Sequence, residues 1–307
     1  MTRLGYGVIV MFLVSVVTFV GLHVAPGDVA SSVFNPTTTP PEVLEAFREQ
    51  LGLGDPILVQ YWNYMTGLLQ GDLGYSFVRD VPVSTIIANS AWYTVALAAA
   101  AFVLAFGLGI PFGVLAALTK DRLLDRAVRF LANTFLAIPD FVLALLLVLL
   151  LGVQLGWLPV SGSESWKHLV LPAFVLAAEP WGLIVRIVRT SVLENLHADY
   201  ARTLRARGVT ERRIQWKHVL RNSLGPVVSL GAVQVRTLLG YALIVEVIFR
   251  WPGLGYQLVQ SILNRDYAVA QALSLMLAGV VVVTSILGDL AARMVDPRIR
   301  LGEKVNA

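Results

Sequence analysis

The sequence predicts an all-α integral membrane protein with six transmembrane helices, and three observations carry that prediction. The chain has 307 residues, 56% of them hydrophobic and only 14% charged, whereas a soluble domain carries roughly 25% charge. Six segments approach the ~20 apolar residues that a helix needs to cross a bilayer. The lysines and arginines gather in alternate connections, as the positive-inside rule requires.

The first span, Leu4 to Ala25, has His23 as its only ionisable group. Its apolar run exceeds the ~7–15 residues of a signal-peptide core and no A-x-A site follows, so it reads as a retained anchor. The second lies inside the charge-free stretch Val81 to Thr119, with its apolar core from Trp92 to Leu118. The third, Phe130 to Leu151, is interrupted by Asp140. The fourth, Leu169 to Val185, contains Glu179-Pro180 and is the least distinct. The fifth, Leu224 to Val245, contains Arg236, and the sixth, Tyr267 to Gly288, has no charge.

With the N-terminus inside, eighteen of the 24 basic residues fall in inner segments and five in outer ones, Arg236 being intramembrane. Both termini are therefore expected in the cytoplasm. The net charge of +4 then reflects topology and contact with anionic lipid, and needs no nucleic-acid partner. The outer segment of about 26–89 reads as two short helices. One is capped by Thr39, opens with Pro40-Pro41-Glu42 and ends at Gly52; the other runs from Asp55-Pro56 towards Gly71.

Enzymatic chemistry finds no support in the sequence. The absence of cysteine excludes thiolate metal sites and disulfides, and His23, His168, His197 and His218 are scattered without ligand spacing. No lysine follows a glycine, so there is no P-loop, and no Gly-x-Ser-x-Gly turn is present. A self-contained secondary transporter or channel is the rival class. Such folds usually carry internal inverted repeats, and six spans with one long basic inner loop are not repeat-like.

That loop, about 190–223, is the most informative stretch. Leu193, Leu196, Tyr200 and Leu204 fall at helical spacing and predict one apolar stripe, with Arg202, Arg205 and Arg207 elsewhere around the helix and Gly208 as its stop. On pattern alone such a helix either lies on lipid or inserts into a groove on a soluble partner. Three charges inside spans, Asp140, Glu179 and Arg236, are costly there, about 2.5–3.5 kcal/mol each. They either pair between helices or line a translocation path. The prolines beside Asp140 and Glu179 free carbonyls that only protein or a water-filled cavity can satisfy, which favours the path. Glu246 and Trp251, at the outer end of the fifth span, belong either to an outer gate or to the turn that follows, and Asp289 reads as structural.

The run Asp199, Tyr200, Ala201, Arg202, Thr203, Leu204, Arg205, Ala206, Arg207, Gly208, followed by His218 to Pro226, resembles the cytoplasmic signature loop of ABC importer permeases. More narrowly, it is similar to the B-type permeases of the dipeptide/oligopeptide group. Ala25-Pro-Gly-Asp28, Gly52-Leu-Gly-Asp-Pro56, Gly71 to Ser76, Val245 to Gly255 and Asp296 to Arg300 carry the likeness along nearly the whole chain. Arg202-Thr203-Leu204 stands where Glu-Ala-Ala is usual in the general signature, a departure normal for the peptide group. The resemblance implies a single permease domain over 1–307 with the type I importer fold, in a bacterial inner membrane. It also implies a second homologous permease, two cytoplasmic ATPases that bind the ATP and Mg, and an extracytoplasmic substrate-binding protein. This chain would hold no cofactor or metal, and Leu196 with 199–206 and Gly208 would form the coupling helix. The acidic outer segment, with seven carboxylates against Arg48 and Arg79, would help dock the binding protein or simply face water.

Overall fold

The computed structural model describes residues 2–24, 27–35 and 37–295. The motif at Asp296 to Arg300, Ala25-Pro26 of the first motif and the side chain of Asp289 lie outside what it describes. The order of helices is α1 (Thr2–Val24), α2 (Val29–Val33), α3 (Pro41–Gln50), α4 (Ile57–Leu69), α5 (Val83–Leu118), α6 (Leu123–Ala137), α7 (Asp140–Leu147), α8 (Lys167–His197), α9 (Asp199–Ala206), α10 (Glu211–Arg213), α11 (Leu220–Ser223), α12 (Gly225–Phe249), α13 (Leu254–Leu263) and α14 (Tyr267–Val295). A two-stranded ribbon, β1 (Tyr75–Ser76) and β2 (Val81–Pro82), pairs antiparallel with Tyr75 opposite Pro82. Two π-helical segments, Val148–Gln154 and Ile214–Val219, follow α7 and α10.

Four helices are long and apolar enough to cross a membrane unbroken: Gly5–Val24 within α1, α5, α8, and Tyr267–Gly288 within α14. Two further candidates are bent pairs, Leu123–Ala137 with Asp140–Gln154 at 109° and Glu211–Gly231 with Val233–Phe249 at 43°, each a broken span or a re-entrant segment, making six crossings if each pair counts as one. The expected third span, Phe130 to Leu151, is thus corrected in its bounds and in the size of its irregularity: it runs over 123–154 and turns by 109° at Pro139. Ile138 is extended (φ −89°, ψ 122°) because the ring of Pro139 crowds the helical conformation of the residue before it. Asp140 does not interrupt a helix but opens α7. Thr39 is corrected too, since the residue preceding α3 is Pro40 and no side chain caps it. Gly52 and Gly71 do end their helices, at φ +65° and +84°.

Internal contacts divide the chain into two units. The first comprises Met1–Thr94 and Pro252–Val282. Its core is Val83, Ile86, Leu254, Val269, Ala272 and Leu273, with a second cluster of Leu22, Val29, Tyr267 and Ala270. Asp28 opens α2 through a reciprocal capping box with Ser31 and forms an ion pair with Arg48 of α3. Burial opposes charge on Asp28, but the hydrogen bonds from Arg48 and Ser31 outweigh it and hold the carboxyl below its ordinary value. The ribbon is anchored through Ser76, whose hydroxyl donates to Asp266 at 2.5 Å, and through Arg79, which donates to Gln257 at 2.6 Å.

The second unit comprises Val95–Trp251 and Val283–Ala307, and α8 is its axis. The least distinct span in the sequence is the most enclosed in the fold: 67% of its most apolar stretch is buried, against 22% in α1 and α5. Small residues allow that enclosure, because helices in lipid gain from close backbone approach and not from a hydrophobic effect. Gly109 and Gly113, four residues apart on α5, face Ile184 and Val188 of α8, and a Cβ on Gly113 would come within 2.7 Å of Val188. Gly182 meets the backbone of Ala132 on α6 in the same way.

One buried charge joins these helices at one end. Asp125 is fully buried on α6. It accepts two hydrogen bonds from Arg189 of α8, at 2.7 and 2.9 Å, a third from the backbone N–H of Asp121, and a salt bridge from Arg129 at 3.2 Å. Substituting Asp125→Ala would leave Arg189 without its partner, a loss of about 3–5 kcal/mol for a buried pair broken from one side; thermal unfolding in detergent should show a lowered midpoint, and an unchanged midpoint would contradict the role given to the pair. Gly113→Val should also destabilise, by about 1–3 kcal/mol of overpacking, whereas Gly107→Val, where an added Cβ meets nothing within 4 Å, should leave the same midpoint in place.

Candidate functional site

The segment 188–225 of the second unit carries the residues that the sequence singled out. Toward the end of α8, Ser191 lends its carbonyl to the buried hydroxyl of Ser223 on α11 at 3.2 Å. The helix then stops at His197, and Ala198 is extended (φ −67°, ψ 153°) before α9 begins. The predicted single stripe is therefore corrected: Leu193 and Leu196 belong to α8, and Tyr200 and Leu204 to α9. The break is held by two side-chain bonds, one of which satisfies a carbonyl that the last turn of a helix leaves open. The Tyr200 hydroxyl donates to Asn195 Oδ1 at 2.8 Å, and Arg205 Nη1 donates to the carbonyl of Leu196 at 3.0 Å. Asp199, at the first position of α9, sits where a helix favours negative charge.

The eight residues of α9 are placed unequally. Ala201 is fully buried, Tyr200 and Leu204 are half-buried, and Asp199, Arg202, Thr203, Arg205 and Ala206 are exposed. Arg202 leans to Asp199 at 3.7 Å, and the Thr203 hydroxyl donates back to the Asp199 carbonyl. Arg205 forms a short ion pair with Glu211 at 2.5 Å, and that hydrogen bond holds the Glu211 carboxyl below its ordinary value.

Gly208 closes the helix as the spacing predicted. Its φ of +76° is the left-handed conformation that glycine adopts without penalty. Its N–H donates to Arg205 O at 2.9 Å and the next N–H, of Val209, to Leu204 O at 3.1 Å, the paired bonds of a Schellman motif. An added Cβ at Gly208 would meet nothing within 4 Å, so the requirement for glycine is one of backbone conformation and not of space. After this stop the π-helical segment buries Ile214 and Val219 and leaves Arg212, Arg213, Trp216 and Lys217 exposed.

The three intramembrane charges do not pair as one reading expected. Arg236 is exposed and donates to Ser285 at 3.4 Å, with no ion pair to either carboxylate among the described residues. Asp140, at the start of α7, and Glu179, ahead of Pro180 on α8, are both half-buried and lie within electrostatic reach of each other. No ion pair within the described residues neutralises either carboxylate. Glu246 and Trp251 are buried, and the Trp251 N–H donates to the Glu246 carbonyl at 2.9 Å, which closes the turn after α12. Arg250 there adopts the left-handed conformation, φ 48°.

Sequence reasoning missed Asp125 and Arg189, because one lies in a basic connection and the other among nine basic residues of the inner loop. The available signal was positional: Asp125 shares a helix face with Val128 and Ala132, all three buried, so it could not be a solvated charge.

Comparison with known proteins agrees along the whole chain. Residues 109–301 match the family model described as the binding-protein-dependent transport system inner membrane component, and residues 1–98 match the model of its N-terminal region. The glutathione transport system permease protein GsiC of Escherichia coli K12 is 38% identical over 290 residues, 94% of each chain. Its counterpart in Salmonella typhi is 39% identical over the same share. Among solved structures, an inward-facing form of the MetNI methionine ABC transporter superposes with a TM-score of 0.54 at 24% identity, covering 68% of this chain and 96% of that one. A second inward-facing form of MetNI gives 0.53 at 22%, covering 69% and 97%. At these identities the structures establish the type I permease fold alone; the sequence matches establish the family. This chain belongs to the inner membrane components of binding-protein-dependent transport systems, the permease subunits of ABC importers.

Proposed function

We propose that α9, ended by Gly208, is the coupling helix through which a cytoplasmic ATPase drives this permease. The observation that carries the reading is how the helix is held. Its outer face, Arg202, Thr203 and Ala206, is free to dock, while Tyr200 and Arg205 fix it to the end of α8 and the Gly208 turn closes it on its own carbonyls. A force on α9 therefore passes directly into the most enclosed helix of its unit. Leu196 belongs to the anchoring side, through its carbonyl, and not to the docking face.

The remaining assembly follows from the same reading. A second homologous permease completes the path, two ATPase subunits bind and hydrolyse ATP with Mg, and a substrate-binding protein delivers the solute at the outer face of a bacterial inner membrane. Both termini are cytoplasmic, which places α9 on the side of the motor and the acidic segment 26–89 on the side of the binding protein. The whole chain then acts as a single permease domain. The solutes are short peptides or peptide-like compounds, a class that includes the glutathione named for the relatives. Asp140, Glu179 and Arg236 face the path, where water or a charged solute terminus offsets the cost of intramembrane charge. Glu246 and Trp251 brace the outer end of α12 against opening.

Substituting Gly208→Val should leave the protein inserted at normal levels. A β-branched residue at that φ costs at least about 1–2 kcal/mol, enough to displace the end of α9. In the reconstituted importer, solute uptake per ATP hydrolysed should fall several-fold, and unchanged uptake and stimulated ATPase activity would contradict the assignment.

A further inference from the structure

The segment that follows α9 presents a surface that coupling leaves unused. Glu211 is the only carboxylate between 200 and 245, and Arg205 already holds it. Arg212, Arg213, Lys217 and Arg221 are all exposed, and none has an ion pair among the described residues. Among them stands Trp216, 56% exposed.

The backbone builds this face. Ile214 and Val219 are fully buried and five residues apart. In an α-helix, with 3.6 residues per turn, residues at that spacing diverge by about 140°. The i→i+5 bonding of a π-helix brings them to one side, and the segment is π-helical over Ile214–Val219. Both apolar side chains thus turn inward together, which leaves the cations and the indole outside. Such π-turns are rare and recur at functional sites.

Its depth narrows what it meets. Trp216 lines one small void with Val114 and Leu118 of α5 and Val192 of α8. Leu118 is the last residue of that membrane-spanning helix, and Lys120 follows it. Trp216 therefore sits where the apolar run ends and headgroups begin, the level at which tryptophan is enriched in membrane proteins. Arg221 stands four residues ahead of α12. Arg212, Arg213, Thr210 and Trp216 line one open depression. A guanidinium grips two phosphate oxygens at once, the Thr210 hydroxyl and the indole N–H add donors, and the ring offers an apolar face to the start of an acyl chain. A zwitterionic headgroup balances its own phosphate, so cations without carboxylates select a headgroup of net negative charge.

We infer that Thr210, Arg212, Arg213 and Trp216 bind the headgroup of an anionic phospholipid of the inner leaflet, with Lys217 and Arg221 adding to the attraction. The inference rests on the cytoplasmic orientation proposed above. It divides the inner loop between two partners: α9 turns its outer face to the motor, and the segment after Gly208 is pinned to the membrane surface.

The test uses the full chain assembled with its partner permease and ATPases, in nanodiscs of phosphatidylcholine with a minority of phosphatidylglycerol. A photo-crosslinking aromatic residue placed at Trp216 captures its neighbours, and mass spectrometry reads the headgroup of each captured lipid. Phosphatidylglycerol should be enriched at least about five-fold over its share of the bilayer, roughly the factor that one surface cation supplies. The double variant Arg212→Gln with Arg213→Gln should return the ratio to that share. Arg202→Gln with Arg207→Gln, the same loss of charge on the other side of Gly208, should leave the enrichment in place. The readout is a ratio within one sample, so a variant that assembles in lower yield still reports it. Capture of both lipids in proportion to the bilayer, enrichment that survives the loss of Arg212 and Arg213, or capture of an ATPase subunit in place of lipid would each overturn the inference. Labelling of Arg212→Cys by a membrane-impermeant thiol reagent added to intact cells would overturn the cytoplasmic orientation and the inference with it, a failure distinct from an unselective lipid ratio.

Discussion

Three residues near the end of α8 carry the connections on which the second unit depends. Val188 fills the space left by Gly113 on α5, Arg189 is clamped by Asp125 of α6, and Ser191 accepts the Ser223 hydroxyl from α11. Less than two turns later the chain breaks and α9 begins. Desolvating Asp125 is costly, and the site repays it only because every lone-pair direction is met by Arg189, Arg129 or the Asp121 N–H. A half-satisfied version would be worse than an apolar contact. Such an all-or-none joint keeps α5, α6 and α8 together when one of them is pushed.

That constraint explains how a short helix can matter mechanically. Alone, eight residues are too few to hold a helix in water; α9 persists because each end is tied. Asp199 and the Tyr200–Asn195 bond hold its start, and the Gly208 turn with the Arg205–Glu211 pair holds its end. In the proposed coupling role, a rigid α9 joined to a rigid joint would transmit displacement, where a floppy loop would absorb it. The 109° bend between α6 and α7 also stands close to the joint in sequence, with Ile138-Pro139 as the point where the chain changes direction.

Much of this was legible in the sequence, for reasons that differ by element. Apolar length located the spans Gly5–Val24 and Tyr267–Gly288 to within a residue or so and placed α5 inside the charge-free stretch 81–119, because spanning a bilayer imposes a length that few soluble helices meet. Gly208 was legible as a stop because a left-handed residue after a helix is a local requirement. At the α6–α7 junction Pro139 marked an irregularity, but the size of the bend was hidden because both halves are apolar. The break at Ala198 was hidden for the opposite reason: alanine favours helix, and the stripe runs through it, but tertiary bonds from Tyr200 and Arg205 override local preference. Asp125 and Arg189 are 64 residues apart, and no periodicity joins them. Arg236 looked like the natural partner of an intramembrane carboxylate, yet its position on α12 directs it to Ser285.

The central claim is that α9 is gripped by a nucleotide-hydrolysing subunit. A photo-crosslinker placed at Arg202, whose side chain is 72% exposed, tests it directly in membranes that contain the assembled importer. The account predicts capture of an ATPase subunit, with a yield that changes when ATP is added. Capture of lipid alone, with or without nucleotide, would contradict it.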